Sequence, residues 1–361
     1  VAPDAWTQIA APSEPRRRTR RFVAIAVAVP VAAALVIAAL TITTGGHDQQ
    51  VRVVDSGPVP HTDVWVLNSV PTPHADLIDA ATGAKRSIAL AGLSPDLRIQ
   101  HAVRRGNVLV VDQAFGSRPA NVFVVNPDGS SRPLSEGSAA FPSASEDRVW
   151  VVSRDATTVR EVDLAGHETI SPHRLPPGYL VVGAVDDGLV GNEQAPPNGP
   201  IASVSVWDPV NNAIVRRWPG WFVAGRGRTV VWSDHAGQVH LTDVRTGVEK
   251  VAGPEERLSS VGGIGISPDG RTVALLGEGH NDFTFALVDV PSARVTHIAG
   301  WQGQDFGGVG WSADSSWVYF AGARHDHDPF QLFAVRRGAS KVTPLRVTVQ
   351  SFETATVGPG F

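Results

Sequence analysis

Short apolar runs that close on Asp or Asn and turn at once recur along this chain, and their spacing constrains the fold more than any other feature. The closing residues are Asp79, Asn126, Asp163, Asp208, Asp243 and Asp289, with a seventh equivalent at Val335 just before Arg336, Arg337 and Gly338. The intervals are 47, 37, 45, 35, 46 and 46 residues, about 43 on average. Turn formers follow each close, as in Ala80–Gly83 after Asp79 and Pro127–Gly129 after Asn126. A second class of run stands upstream of these: DVWVL at 63–67, NVLVV at 107–111, RVWVV at 148–152 and TVVW at 229–232. Both classes have the length and β-branched content of strands, and no long amphipathic helix pattern interrupts them after residue 50.

A repeat of about 43 residues built of four short strands is a propeller blade. Seven such units fill residues 51–361. A single blade exposes apolar faces that only neighbouring blades cover, so the units must close into a ring. A β-sandwich or a linear solenoid also gives short strands, but neither predicts seven units with the same order of runs. The expected fold class is therefore all-β, a seven-bladed β-propeller over 51–361. Residues 51–54 and the tail 347–361 both read as extended, and either one completing the last blade would clasp the ring.

The amino-terminal fifty residues read differently. Arg16, Arg17, Arg18, Arg20 and Arg21 form a basic block, and residues 22–44 carry no charge. The apolar stretch 22–42 is 21 residues long, which as a helix spans about 30 Å, the thickness of the hydrocarbon layer. Eleven of its residues are Phe, Val, Ile or Leu, worth roughly 3 to 6 kcal/mol of insertion free energy. Pro30 lies mid-span, where membranes tolerate a kink. A cleaved signal peptide has a shorter apolar region, of about 7–15 residues. The expected organisation is a basic cytoplasmic tail over 1–21, an uncleaved single-pass signal anchor over 22–44, a linker over 45–50 and an exported propeller. The charge bias across the span keeps the amino terminus in the cytoplasm.

Composition removes several function classes. The chain has no cysteine, which excludes disulfides, thiolate catalysis and cysteine-ligated metal sites. The net charge is −4, and since residues 1–21 contribute +3, the remainder carries −7. That balance argues against nucleic acid as a partner. No Gly-x-Ser-x-Gly elbow, P-loop, His-Glu-x-x-His or dinucleotide fingerprint is present. Gly225–Gly227 and Gly277–Gly279 read as loops. The sequence assigns no catalytic, cofactor-binding or metal-binding residue.

A finer motif sits inside the repeat. In Ser267-Pro-Asp-Gly270, Pro presets a type I turn and Gly takes the left-handed position after it, so 263–266 and 272–276 should be adjacent antiparallel strands. Residues 312–320 repeat the pattern with Ser in place of Gly, and Ser94–Asp96 and Ser143–Asp147 are weaker copies. The stretch ISPDGRTVAL at 266–275 resembles the repeat of TolB-like, or WD40-like, propellers of bacterial envelopes, and 311–320 is similar to a second copy. VSVWDP at 204–209 is similar to repeats of surface-layer and quinoprotein-type propellers. The sequence-level likeness covers about 100 residues near the carboxyl end. The anchor leads almost directly into strands, without the amino-terminal domain of the TolB type. The layout is similar to actinobacterial proteins with one anchor and an exported propeller, some of which accompany extracytoplasmic-function sigma factors.

Three constellations remain as candidates. His325, Asp326, His327 and Asp328, with His297 and His280 elsewhere, offer an imidazole and carboxylate set that suits zinc or copper, against the plainer reading of a solvated loop. Ser312, Asp314 and Trp317 echo part of the Asp-box of sialidase propellers, which is itself a structural turn. Among the ten Trp, Trp65, Trp150, Trp207, Trp232 and Trp317 fall within strand patterns and should pack between blades. Trp218, Trp221 and Trp301 lie near Gly and Pro at blade boundaries, where packing competes with stacking on a sugar or peptide. The resulting expectation is a membrane-anchored, non-catalytic binding or scaffold module for an envelope protein or polymer. The alternatives are a lactonase- or glycosidase-like propeller hydrolase and a sensor coupled to a cytoplasmic regulator such as a sigma factor.

Overall fold

A computed structural model describes residues 57–68, 72–94, 99–113, 121–194, 200–253, 265–278, 283–301, 303, 305–323, 328–349 and 356–359. The expected tail, membrane span and linker over 1–50 lie outside these residues. Among the described residues, no helix is long and apolar enough to cross a membrane. Residues 54–361 form one compact unit of seven four-stranded antiparallel sheets.

The strands nearest the axis are Thr356–Pro359 in blade 1, Ile99–Arg105 in blade 2, Ala139–Pro142 in blade 3 and Tyr179–Val185 in blade 4. Trp221–Arg226, Gly265–Ile266 and Asp305–Trp311 play this part in blades 5 to 7. Contacts between successive blades run through these inner strands. The two classes of run found in the sequence are the second and third strands of each blade. In blade 1 they are Asp63–Asn68 and His74–Asp79, paired from Asp63↔Asp79 to Asn68↔His74. All seven closing positions fall at or beside the end of a third strand.

The buried hydrophobic residues divide into seven clusters, one at each interface between neighbouring blades. Alternation along a strand explains the division. Val64 and Val66 pack towards blade 7, while Trp65 and Leu67 pack towards blade 2. Trp317, Tyr319 and Ala321 face blade 1, and Val318 and Phe320 face blade 6. Both faces of a second strand are thus buried, which is why these runs read as nearly continuous Val, Leu, Phe and Trp. Trp65, Trp150, Trp207, Trp232 and Trp317 are all buried at these interfaces, as expected. Polar side chains add main-chain links between blades. The Ala140 amide donates to Asp112 Oδ2 at 3.0 Å, and the Phe222 amide to Asn192 Oδ1 at 3.0 Å.

The Ser-Pro-Asp-Gly turn forms as its sequence dictates. Gly270 has φ of 70°, the Ser267 hydroxyl donates to Asp269 Oδ1 at 2.7 Å, and the Thr272 amide donates back to Ser267 Oγ at 3.0 Å. The flanking strands pair Gly265↔Ala274 and Ile266↔Val273. At Ser312 the same bonds recur, with Ser315 at φ of 62° in the Gly position. A third copy at Ser153, Asp155 and Ala156 escapes sequence inspection because Ala stands at the left-handed position, at φ of 52°. Ser143 departs from the pattern: its hydroxyl donates to the buried carboxylate of Glu161. Residues 95 and 96 of the Ser94 copy lie outside the described residues.

Ring closure corrects one expectation. The carboxyl tail clasps the ring, but through the first blade rather than the last: Thr356–Pro359 pairs with Asp63–Asn68 from Val64↔Pro359 to Leu67↔Thr356. The first and seventh blades therefore meet across a seam held by the end of the chain. A protein ending at Val349 loses these four pairings, on the order of 4 kcal/mol at about 1 kcal/mol each. Its thermal unfolding should begin well below that of the full chain, and an unchanged midpoint would show that the clasp carries no stability.

Candidate functional site

Carboxylates are where a propeller hydrolase would be sought, and the repeated ones here are occupied in turns. Asp79 Oδ1 accepts from the Thr82 amide and hydroxyl, both at 2.7 Å. Asp163 Oδ1 accepts from the Ala165 and His167 amides, each at 2.9 Å. Asp208, Asp243 and Asp289 do the same for the amides of Val210, Thr246 and Ser292. Hydrogen bonds to the charged form hold a carboxyl ionised. The Thr82 hydroxyl first, then His61, bring Asp79 down to about 2. The Ser292 hydroxyl lowers Asp289, and the Ser312 and Ser316 hydroxyls lower Asp314. The Asp-box echo at Ser312 is likewise a turn lock. The buried acids Asp76 and Glu161 are also satisfied: Asp76 by Asn68, Lys85 and Ser87, and Glu161 by Ser143, Arg148 and Thr169.

The other candidates from sequence do not assemble into a site. His280, His325, Asp326 and His327 lie outside the described residues, while His297 ends the exposed outer strand of blade 6. Among the described residues, no three metal-ligating side chains gather in one place. Trp218 and Trp301 are buried, the first stacked 6.2 Å from Trp232 and the second edge-on to Phe320 at 5.3 Å. Trp221 alone of the three keeps part of its surface free, edge-on to the exposed ring of His235 at 5.8 Å.

Sequence reading passed over the arginines of the inner strands. Each inner strand pairs on one side only, so its other edge turns unpaired amides and carbonyls to the axis. The described side chains on these strands are mostly small or apolar: Ala139, Ala140, Val181, Gly183, Ala184, Val223, Ala224, Gly225 and Val309. Phe222 of blade 5 lies across Gly183 of blade 4, where a Cβ would come within 2.7 Å of its ring. The charged exceptions are Arg104 and Arg105, which end the inner strand of blade 2, and Arg226, which ends that of blade 5. Every inner strand turns directly into the second strand of its blade, apart from the chain's last. The ends that carry these arginines therefore open on one face of the ring. The apparent loop at Gly225 is corrected here: Gly225 and Arg226 complete a strand, and only Gly227, at φ of 56°, belongs to the turn. Gly277 likewise lies inside a strand, Thr272–Glu278.

Burial, more than any neighbouring charge, pushes the Arg105 guanidinium below its ordinary range. The charge of Arg226 pushes the same way, and Glu146 and Asp147 oppose both. Burial also lowers Arg226, against the pull of Asp269. Arg226 is nonetheless exposed. Arg105 Nη2 donates to the Ser143 carbonyl of blade 3, while its buried Nε has no partner. A sequence signal for the site does exist, an Arg next to the Gly of the first hairpin in Arg104-Arg105-Gly106 and Arg226-Gly227, but exposed turns carry the same pattern.

The fold is shared with solved propellers. An oligogalacturonate lyase from Vibrio parahaemolyticus matches at 16% identity with a TM-score of 0.54, over 79% of this chain and 86% of its own. TolB from Acinetobacter baumannii matches at 11% identity and 0.50, over 83% and 66%. A Bacteroides fragilis protein provisionally assigned as a 6-phosphogluconolactonase matches at 12% identity and 0.54, over 84% and 99%. No family model and no curated protein sequence matches the chain. Likenesses at these identities establish the architecture, and one architecture serves unrelated functions.

The turn carboxylates give stability a defined acid dependence. The folded value of Asp79, about 2, lies below the ordinary value of 3.8, so the folded state binds fewer protons between them. Its contribution is complete above about pH 4 and is lost as pH falls towards 2. Asp79→Ala should lower the unfolding midpoint at pH 7, and the gap from the parent protein should shrink steadily below pH 4. A gap independent of pH would mean that the carboxylate is not a cap.

Proposed function

We propose that this chain is a binding module: an exported propeller, anchored through residues 22–44, that presents a ring face to a protein or polymer of the cell envelope. The observation that carries this reading is the make-up of the axis. The described inner strands offer backbone edges, small residues and three arginines at one mouth. Arginine stays charged through the physiological range, so it holds and orients a partner rather than passing protons. The repeated carboxylates that a hydrolase would draw on are bound into hairpin turns. The short basic tail is a topological signal on this reading, and anionic lipid head groups suffice as its partner.

A photo-crosslinking residue at Asn107, in the turn next to Arg105, and another at Arg86, on the outer strand of blade 1, test it in living cells. Links to one envelope component from Asn107 and not from Arg86 are expected. Turnover of a lactone or an oligogalacturonide by the purified chain would overturn the reading in favour of the hydrolase. Links only from residues 1–21 to a cytosolic factor would favour the sensor.

A further inference from the structure

Among the described residues, the large hydrophobic side chains left exposed are Val210, Ile214, Val215, Val248 and Val251, and all five lie on the outer rim of blades 4 and 5. Val210 stands in the turn before the outer strand of blade 4, Ala213–Trp218, on which Ile214 and Val215 are consecutive. Val251 ends the outer strand of blade 5, Glu249–Val251, and Val248 precedes that strand. The two sets adjoin. Arg216 Nε donates to the Val244 carbonyl of blade 5 at 3.0 Å, and a Cβ at Gly247, next to Val248, would come within 3.0 Å of Arg216 Nη2.

The other blades carry different residues at these places. The second residue after the closing position is Val210 in blade 4, but Ala81, Asp128, Ala165, Arg245, Pro291 and Arg337 in the other six. The outer strands of blades 2, 3 and 7 contain Pro133, Pro172 and Pro344, and that of blade 1 opens on Lys85 and Arg86. Proline and charge keep the edge of a sheet from joining another chain. Blade 4 has neither from Val210 to Val215, where its rim is apolar or amide-bearing.

The charges bordering the patch select its partner. Arg217 pairs with Glu193, Arg245 with Asp187 and Glu249 with His240, and Asp208 accepts the amides of Val210 and Asn211. A border balanced in this way suits a surface that is itself apolar and balanced, which a second copy of the patch provides. The order of charges also fits a second copy. The rim of blade 4 runs from Asp208 through Val210, Ile214 and Val215 to Arg216 and Arg217. A two-fold axis near Val215 makes two such strands antiparallel and sets Arg217 of each copy towards the Asp208 turn of the other. We propose that the rim of blades 4 and 5 is a self-complementary interface that pairs two copies of this chain about a two-fold axis. It lies away from the ring axis, so it goes beyond the binding-module reading and does not depend on it.

The chain has no cysteine, so a single introduced one reports contact between copies. In the full chain, Val215→Cys should give disulfide-linked dimers on mild oxidation, and Arg86→Cys, on the outer strand of blade 1, should not. Light scattering should find two chains per particle for the parent and one for Val215→Asp, whose circular dichroism stays that of the folded chain because the position is exposed. Arg217→Glu should weaken association by about tenfold, since it sets like charges together. Single-chain particles of the parent at every concentration, or equal linking at the two cysteines, would overturn the interface. Association unchanged by Val215→Asp would do the same. A bimane on Val215→Cys that brominated lipid quenches in single-chain particles would assign the patch to a bilayer and likewise overturn the proposal. Crosslinks from Asn107, beside the inner strand of blade 2, are read separately, so either reading can fail without the other.

Discussion

Every blade of this protein has two apolar faces and no means of covering them itself, and the rest of the structure follows from that. Seven clusters, each shared by two neighbours, replace a single central core. Because side chains alternate along a strand, one second strand serves two clusters at once, as Trp65 and Val66 do on opposite sides. The arrangement has no free end. Blade 1 needs blade 7, and the chain supplies its last described strand to the sheet that holds its first described one. The covalent break falls inside the blade 1 sheet, between Thr356–Pro359 and Asp63–Asn68, and main-chain pairing bridges it.

Closure by neighbours also assigns the polar residues their roles. Hairpins on both faces of the ring must reverse the chain tightly without taking space from an interface. Asp at the end of a third strand accepts the amides of its own turn, so reversal is fixed locally and no side chain is drawn from the core. The Ser-x-Asp turns do the same at other hairpins, and one is linked to its neighbour: the Asp269 amide donates to Ser315 Oγ at 3.0 Å, and Arg337 pairs with Asp269. Residues that look chemically promising in the sequence are thus largely committed to stability. Among the described residues, the buried hydroxyl of Tyr319, between blades 7 and 1, has no hydrogen-bond partner.

The axis is left as the region where main chain meets solvent without an adjoining sheet. Its inner strands are rich in Gly and Ala because blades converge there and large side chains would collide, as Gly183 beneath Phe222 illustrates. The hairpins begin at the ends of these strands. Arg105 and Arg226 occupy such ends.

The repeat, its count and the strands that bear the apolar alternation were readable from the sequence, because burial on both faces imposes a period of two that survives in one dimension. So were the turns, whose Asp, Ser, Pro and Gly act on backbone within a few residues. The Ser153 turn was hidden only because Ala stands where Gly is expected. Of the inner strands, Gly265–Ile266 was legible only through the turn that follows it, and a glycine-rich run such as Asp305–Trp311 carries no periodic signal. Tertiary structure alone decided which blade the tail would close, since extended segments carry no address until a sheet edge is left open for them. It alone placed Arg105 and Arg226, 121 positions apart in the chain, at strand ends on one face, because the ring, and no local rule, sets where those ends lie.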